Sequence, residues 1–432
     1  MRTVLLRCGE VAHLAPDLGR GPLVGASMSD REGLVHESGK GIVIEDRVIQ
    51  SITESDEIRE EFVPDVLCLS KTPTLLETDS STSVWDLAGC AVTPGLVDAH
   101  THLIWAGDRS DEMRKLQKGT SYQEIANSGG GINRTVSSTR LSTIDELVGI
   151  GAKRIREAIR QGTTTLEAKS GYGLSTESEL KLLAAAKQLE QETPLKMHLT
   201  WLGAHSVPDE LGKAEYVNEL LTDQLPAVIE QGFAKSCDVF CEQGWFDNED
   251  TEQIVKAASS KGLSTRLHVD EFVDSGGLDL AAELGVVTAD HAAKSNEEAR
   301  HAAAAAGVIQ GFLPGTPYVL GAKTWPPLEE AIESEWPWTL ASDFNPNCKS
   351  ISLPFVGSLA SHRMGIDPLA SLVAVTRNSG ATFPSFESVG VLVEKGPADI
   401  NILKSRSVDG WCQTPGGSPF SHTIISGNMI VH

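Results

Sequence analysis

From Leu96 to Ser342 the sequence alternates eight times between a short apolar run and, in most intervals, a segment of helical spacing. The runs begin at Leu96 and continue with Thr163–Glu167, Leu195–Leu202, Cys237–Cys241, Leu263–His268, Val286–Asp290, Val308–Phe312 and Trp338–Ser342. Thr143-Ile-Asp-Glu146 is a capping-box pattern, and Leu147, Ile150, Ala152, Ile155 and Ile159 then follow roughly helical spacing up to Gly162. Thr176-x-x-Glu179 reads as a second such cap, opening a helix that runs to about Glu190. Strands joined through helices form parallel sheets, and eight such units over roughly 290 residues fit a (β/α)8 barrel of the TIM type. A doubly wound sheet is the alternative, but no G-x-G-x-x-G follows a first strand. The run Gly129-Gly130-Gly131 sits after a helical segment and reads as a flexible loop near substrate rather than a phosphate cradle.

Both ends of the chain have a different texture. Gly41 to Ile49 is two β runs around an acidic turn, and Ile52 to Thr78 is polar and poorly periodic, read as loops with a short helix. Past Val389, Gly390–Leu403 and Thr423–His432 again look like sheet. The expected fold is therefore α/β, a barrel over 94–388 with a small β-sandwich domain built from both chain ends, 1–93 and 389–432. Pro94-Gly95 marks the junction.

Lys and Arg number 36 against 59 Asp and Glu, a formal net charge of −23. That excess argues against nucleic acid or an anionic membrane surface as partner, since both are polyanions. Seven scattered cysteines, an odd number without a dense framework, suit a reducing compartment. Cys237 and Cys241 are spaced C-x-x-x-C with no second pair, which suits buried apolar residues better than a zinc ribbon. The first ten residues lack a sustained apolar stretch and no run approaches membrane-spanning length, so the expectation is a soluble, cytoplasmic protein.

In such a barrel, chemistry sits at the C-terminal ends of the strands. His100 and His102 close strand one as His-x-His, and side chains two apart on a strand share a face. His268 closes strand five, His291 follows strand six and Asp343 follows strand eight. Three imidazoles and a carboxylate suit zinc or iron with room for a water, and a divalent cation brings the pKa of bound water near neutrality. An acid/base group must then carry protons to a leaving nitrogen; Glu271, in His268-Val-Asp-Glu, is the first candidate, with His291 and Asp343 behind it.

These residues carry a resemblance. His-x-His after Pro-Gly-Leu-Val-Asp, with a strand-five His, a strand-six His and a strand-eight Asp, resembles the amidohydrolase superfamily. Many binuclear members place a bridging lysine on strand four, where Cys237–Cys241 has none, so one divalent metal ion is expected. Within the superfamily the chain resembles the imidazolonepropionase family. The matching segments are Gly107-Asp-Arg109 with Glu112, Gly119–Ile125, Gly129-Gly-Gly-Ile132, Lys169–Leu174, Gly203–Pro208, Asp238–Glu242, His268–Phe272, Asp290-His291 and Ser342–Asn347.

The resemblance implies opening of the ring of 4-imidazolone-5-propanoate to N-formimidoyl-L-glutamate. It implies His100, His102, His268 and Asp343 as metal ligands, with Arg109, Tyr172, His205 and Glu271 on the substrate and Asn345, Asn347 and Cys348 near its carboxylate. A homodimer is expected by the same analogy. The chain departs from the family at Ala292-Ala293, where a larger apolar residue usually comes first, and at Asn347-Cys348, where many relatives carry Gly and a small hydroxyl residue. The rival reading is another mononuclear amidohydrolase, a heterocycle deaminase or cyclic amidase. A catalytically silent binding barrel is a rival of another class, and it expects lost ligands.

Overall fold

Parallel strands buried on both faces need a covering layer of helices, and the computed structural model has that arrangement. It describes residues 2–16, 21–78, 81–120, 124–125 and 129–432; of the Gly119–Ile125 segment, residues 121–123 lie outside them. Eight parallel strands pair in sequence order: Leu96–Asp98, Thr163–Lys169, Lys196–Ala204, Ser236–Cys241, Ser264–Val269, Thr288–His291, Ile309–Phe312 and Trp338–Leu340. Just beyond the eighth strand the chain returns to the first. The Asp343 N–H donates to the His100 carbonyl (3.1 Å) and the His102 N–H to the Phe344 carbonyl (2.9 Å). One residue earlier, the Ser342 N–H donates to the Asp98 carboxylate (3.0 Å). These bonds draw the sheet into a barrel.

Strand one is shorter than its sequence suggests. It ends at Asp98, so His100 and His102 stand on the segment just past it, where Thr101 bridges Phe344. The first expected cap forms on helix Ile144–Arg160: the Glu146 N–H donates to Thr143 Oγ1 (3.3 Å), and the Thr143 N–H to the Glu146 carboxylate (2.9 Å). The second does not form. Helix Thr176–Glu192 begins after Ser175, and the buried Glu179 carboxylate accepts N–H groups from Gly171 (2.9 Å), Gly173 (2.7 Å) and Leu174 (2.9 Å) instead. A carboxylate that gathers three backbone donors gains more than one capping a single helical N–H. The glycine run opens helix Gly131–Leu141, with Gly130 at its N-cap.

Two further sheets stand beside the barrel. One has five strands, all from the N-terminal region, among them Arg2–Leu6, Lys40–Glu45 and Val48–Glu54. Its edge strand Thr74–Thr78 falls where the sequence suggested loop, because its adjacent leucines, Leu75 and Leu76, leave no alternating period to read. The other sheet has six strands and mixes both chain ends: Val92–Pro94 pairs with Ile400–Leu403, which pairs with Phe420–Ile425. Leu5, Ile42 and Ile44 of the first sheet share a core with Val92, Ile400, Ile402 and Ile424 of the second, which makes the sandwich.

The chain passes from sandwich to barrel through one residue, Gly95, between strands Val92–Pro94 and Leu96–Asp98. A Cβ there would lie 2.1 Å from the Thr164 hydroxyl on strand two. Thr164 is buried and β-branched, so it has little freedom to move aside. Gly95→Ala is therefore expected to lower stability by about 1–3 kcal/mol, with Thr164→Ala in the same chain recovering part of the loss. Urea unfolding of the two variants and the wild type checks this.

Candidate metal centre and active site

Every side chain of the candidate site leaves the barrel at the C-terminal end of a strand. His100 and His102 follow strand one, His268 lies on strand five, His291 ends strand six and Asp343 follows strand eight. His100 Nε2 and His102 Nε2 stand 3.6 and 3.7 Å from Asp343 Oδ1, and His268 Nε2 is 3.5 Å from His102 Nε2. All five residues are buried. The donor atoms of these five residues fall into two overlapping sets able to hold a cation, His100–His102–Asp343 and His100–His268–His291.

Hydrogen bonds behind the rings turn their lone pairs toward that point. His100 Nδ1 is 2.7 Å from Asp290 Oδ2, and His268 Nδ1 is 3.1 Å from Asp238 Oδ1. With a carboxylate accepting at Nδ1, the ring proton sits there and Nε2 keeps its lone pair, the arrangement found behind metal-bound histidines. His100 Nε2 is buried with no hydrogen-bond partner, as a nitrogen awaiting a cation would be. Burial pulls His100, His102 and His291 well below the usual imidazole range, which favours the neutral form that ligates. Asp343 Oδ2 accepts from the Thr316 hydroxyl, leaving Oδ1 to face the histidines. The donor set and its supports fit a divalent cation.

Backbone conformation is costly here. Asp270, His291, Ala292 and Asp343 take φ values of 49°, 66°, 45° and 50°, a region that L side chains rarely adopt. Such strain at strand ends is held only where the surroundings over-determine it. Behind His291, the buried Arg300 donates to the Ala292 carbonyl and to Gln310 Oε1 (2.8 Å). It therefore ties down the chain just past His291.

The cavity over this centre is lined by the remaining expected residues: Arg109, Tyr172, His205, Glu271, Asn345, Asn347 and Cys348. Glu271 is largely buried, its Oε2 lies 3.8 Å from His291 Nε2, and its own N–H donates to Glu242 (2.7 Å). Burial, with the charges of Asp343 and Glu242 added, raises its carboxyl well above the usual range. Arg109 is ion-paired through Nη2 with the buried Glu112 (2.9 Å). His205 stacks on His102 with ring centres 5.0 Å apart, and its Nδ1 is 2.9 Å from the Gly171 carbonyl. The Asn345 side chain is spent on its own loop: it donates to the Asp343 carbonyl (2.8 Å) and accepts from the N–H groups of Asn347 (2.7 Å) and Cys348 (3.0 Å).

Among the groups that hold the others, sequence reasoning quoted Glu112, Asp238, Glu242 and Asp290 only inside matching segments, with no role for them, and passed over Thr316. For Asp238 and Asp290 a signal existed, because a carboxylate inside an apolar strand run is seldom placed there without a partner. Thr316, in the short helix Gly315–Val319 after strand seven, carried none. The apolar walls of the cavity, Phe240, Trp245 and Phe272, were also missed.

No family model matches the chain. An imidazolonepropionase of Geobacillus kaustophilus is 36% identical over 415 residues, covering 95% of this chain and 93% of that protein. One of Haloarcula marismortui is 34% identical, covering 90% and 89%, and one of Shewanella sediminis is 41% identical, covering 81% and 86%. Among solved structures, a 5-methylcytosine deaminase from Klebsiella pneumoniae, liganded with 5-fluorocytosine, superposes with a TM-score of 0.70 at 16% identity, covering 100% of this chain and 97% of its own. An adenosine deaminase from Xanthomonas campestris with bound zinc gives 0.66 at 15%, covering 99% and 92%. At that identity the two structures speak to the fold alone.

One consequence concerns Cys348. Its thiol is buried, and burial pushes its pKa up to about 12, so the reactive thiolate is scarce at neutral pH and grows only as pH climbs toward that value. Iodoacetamide at pH 8 is expected to label the half-buried Cys68 and Cys90 and to leave Cys348 unmodified, as read by mass spectrometry of the folded protein.

Proposed function

The chain belongs to the imidazolonepropionase family of the amidohydrolase superfamily, and from that premise we propose that it opens the ring of 4-imidazolone-5-propanoate to N-formimidoyl-L-glutamate. In this reading His100, His102, His268 and Asp343 hold one divalent cation, zinc or iron. The observation that carries it is the convergence of those four donors, two of them turned by carboxylates behind the rings, at a cavity of small-molecule size. When bound, the cation supplies a Lewis acid that polarises the ring carbonyl and eases deprotonation of water.

The chain's own residues do the rest. Arg109, held in plane by Glu112, presents a guanidinium fork to the propanoate carboxylate, while the Asn345–Cys348 loop closes that end. Tyr172 and His205 flank the ring. Water oxygen adds to the carbonyl carbon, the adjacent ring C–N bond breaks, and the nitrogen leaves with a proton. Glu271 takes the proton from water and delivers it to that nitrogen, with His291 beside it and Asp343 as a second acceptor. Phe240, Trp245 and Phe272 keep bulk water from the reacting atoms.

The enzyme takes a small molecule, and among the described residues no helix is long and apolar enough to cross a membrane. Cysteines that the structure leaves unpaired suit a cytoplasmic setting, and a two-fold homodimer is the commonest assembly for such an enzyme.

The metal-replete protein is expected to hydrolyse freshly prepared imidazolonepropionate, and His268→Ala to lose both metal and turnover. Glu271→Gln is expected to keep the metal and lose about 100-fold or more in kcat. Elemental analysis beside a spectrophotometric assay reads all three. A metal-replete wild type with no turnover would sink the assignment.

A further inference from the structure

Beneath the histidines the barrel interior holds charges that the reaction above does not use. Lys169 ends strand two with a side chain wholly removed from solvent. Its Nζ lies 2.5 Å from Asp238 Oδ2 on strand four and 2.7 Å from Glu167 Oε2 on its own strand. Glu167 Oε1 in turn accepts from the Thr200 hydroxyl (2.5 Å) and stands 3.4 Å from Arg266 Nε on strand five. Two cations and two anions balance, and all four are fully buried.

Packed apolar side chains would fill that volume at no loss of stability, because burying ions costs more than their mutual attraction usually returns. Stability is therefore a poor account of the cluster. One of its contacts reaches the metal centre: Asp238 Oδ1, the oxygen that Lys169 does not hold, meets His268 Nδ1 at 3.1 Å.

We propose that Lys169 is a positioning residue for the metal centre. By fixing one carboxylate oxygen of Asp238, it sets the other where it must accept from His268 Nδ1, and so points His268 Nε2 at the cation. The proposal rests on the reading of His268 as a ligand. A free Asp238 could turn about its χ2, and His268 would lose the acceptor that fixes both its tautomer and its ring plane.

The test measures zinc affinity by competition with a chromophoric chelator, and the visible absorption of the cobalt(II)-substituted protein, for Lys169→Met. Affinity is expected to fall about 10–100-fold and the cobalt bands to shift. Lys181→Met serves as the control. Lys181 is half-buried and donates to the carbonyls of Arg140 (2.8 Å) and Ser142 (2.9 Å), so its loss should lower stability and leave zinc affinity and cobalt bands as in the wild type. Because Lys169→Met leaves the cluster one negative charge in excess, Lys169→Met/Asp238→Asn is made alongside Asp238→Asn. If Lys169 acts through Asp238, these two bind zinc equally. A folded Lys169→Met with wild-type affinity and spectrum overturns the proposal, and so does a double variant weaker than Asp238→Asn. A wild type that binds no zinc or cobalt overturns the ligand reading first, and the proposal with it.

Discussion

The seam between strand one and strand eight does two jobs with the same bonds. The Asp343 N–H to the His100 carbonyl and the His102 N–H to the Phe344 carbonyl close the barrel. They also bring Asp343 to the side of the His-x-His pair, across more than two hundred residues of sequence. A barrel that failed to close there would leave His100 and His102 without the Asp343 carboxylate. The backbone is also unrelaxed at the seam, with Asp343 at φ 50°. Its hydrogen bonds, the Ser342–Asp98 bond and the Thr316 hydroxyl on the Asp343 carboxylate hold that conformation in place.

Around the seam the strand-end loops share one device. The loops after strands one, two and five are each anchored by carboxylates that collect backbone N–H groups. Glu179 takes three from the loop carrying Tyr172, and Glu242 takes those of Glu271, Phe272 and Val273. Asp270 takes Ser275, Gly277 and Leu278, and Glu112 takes Gly131 while pairing with Arg109. A charged acceptor makes stronger bonds than a carbonyl, and one carboxylate can fix several consecutive residues. The loops can then carry substrate-facing side chains without a hydrophobic core of their own. Part of the acidity of this chain is thus internal and architectural, while much of the rest lies on the surface.

How far the sequence was legible depends on the range of the interaction. Barrel strands showed as apolar runs and the Thr143–Glu146 cap as a local pattern, because both signals lie within a few residues. The Thr176–Glu179 pattern had the same local form and misled. Glu179 answers to the loop five to eight residues before it rather than to its own helix, and three donors there outweigh one in the helix. Thr74–Thr78 was missed for the opposite reason, since an edge strand without alternation is specified by its neighbour in the sheet.

The site divides in the same way. By itself the sequence determined which chemistry was available: His100, His102, His268, His291, Glu271 and Asp343 could be placed at strand ends from periodicity alone, and the family pattern then ordered them. Only the tertiary structure decided how those groups are held. Asp290 turns His100, Asp238 turns His268, and Lys169 reaches across from strand two to Asp238. Those partners lie 190, 30 and 69 residues apart. A hydrogen bond is selected by distance and angle in space, and no spacing in the chain encodes it until the barrel has closed.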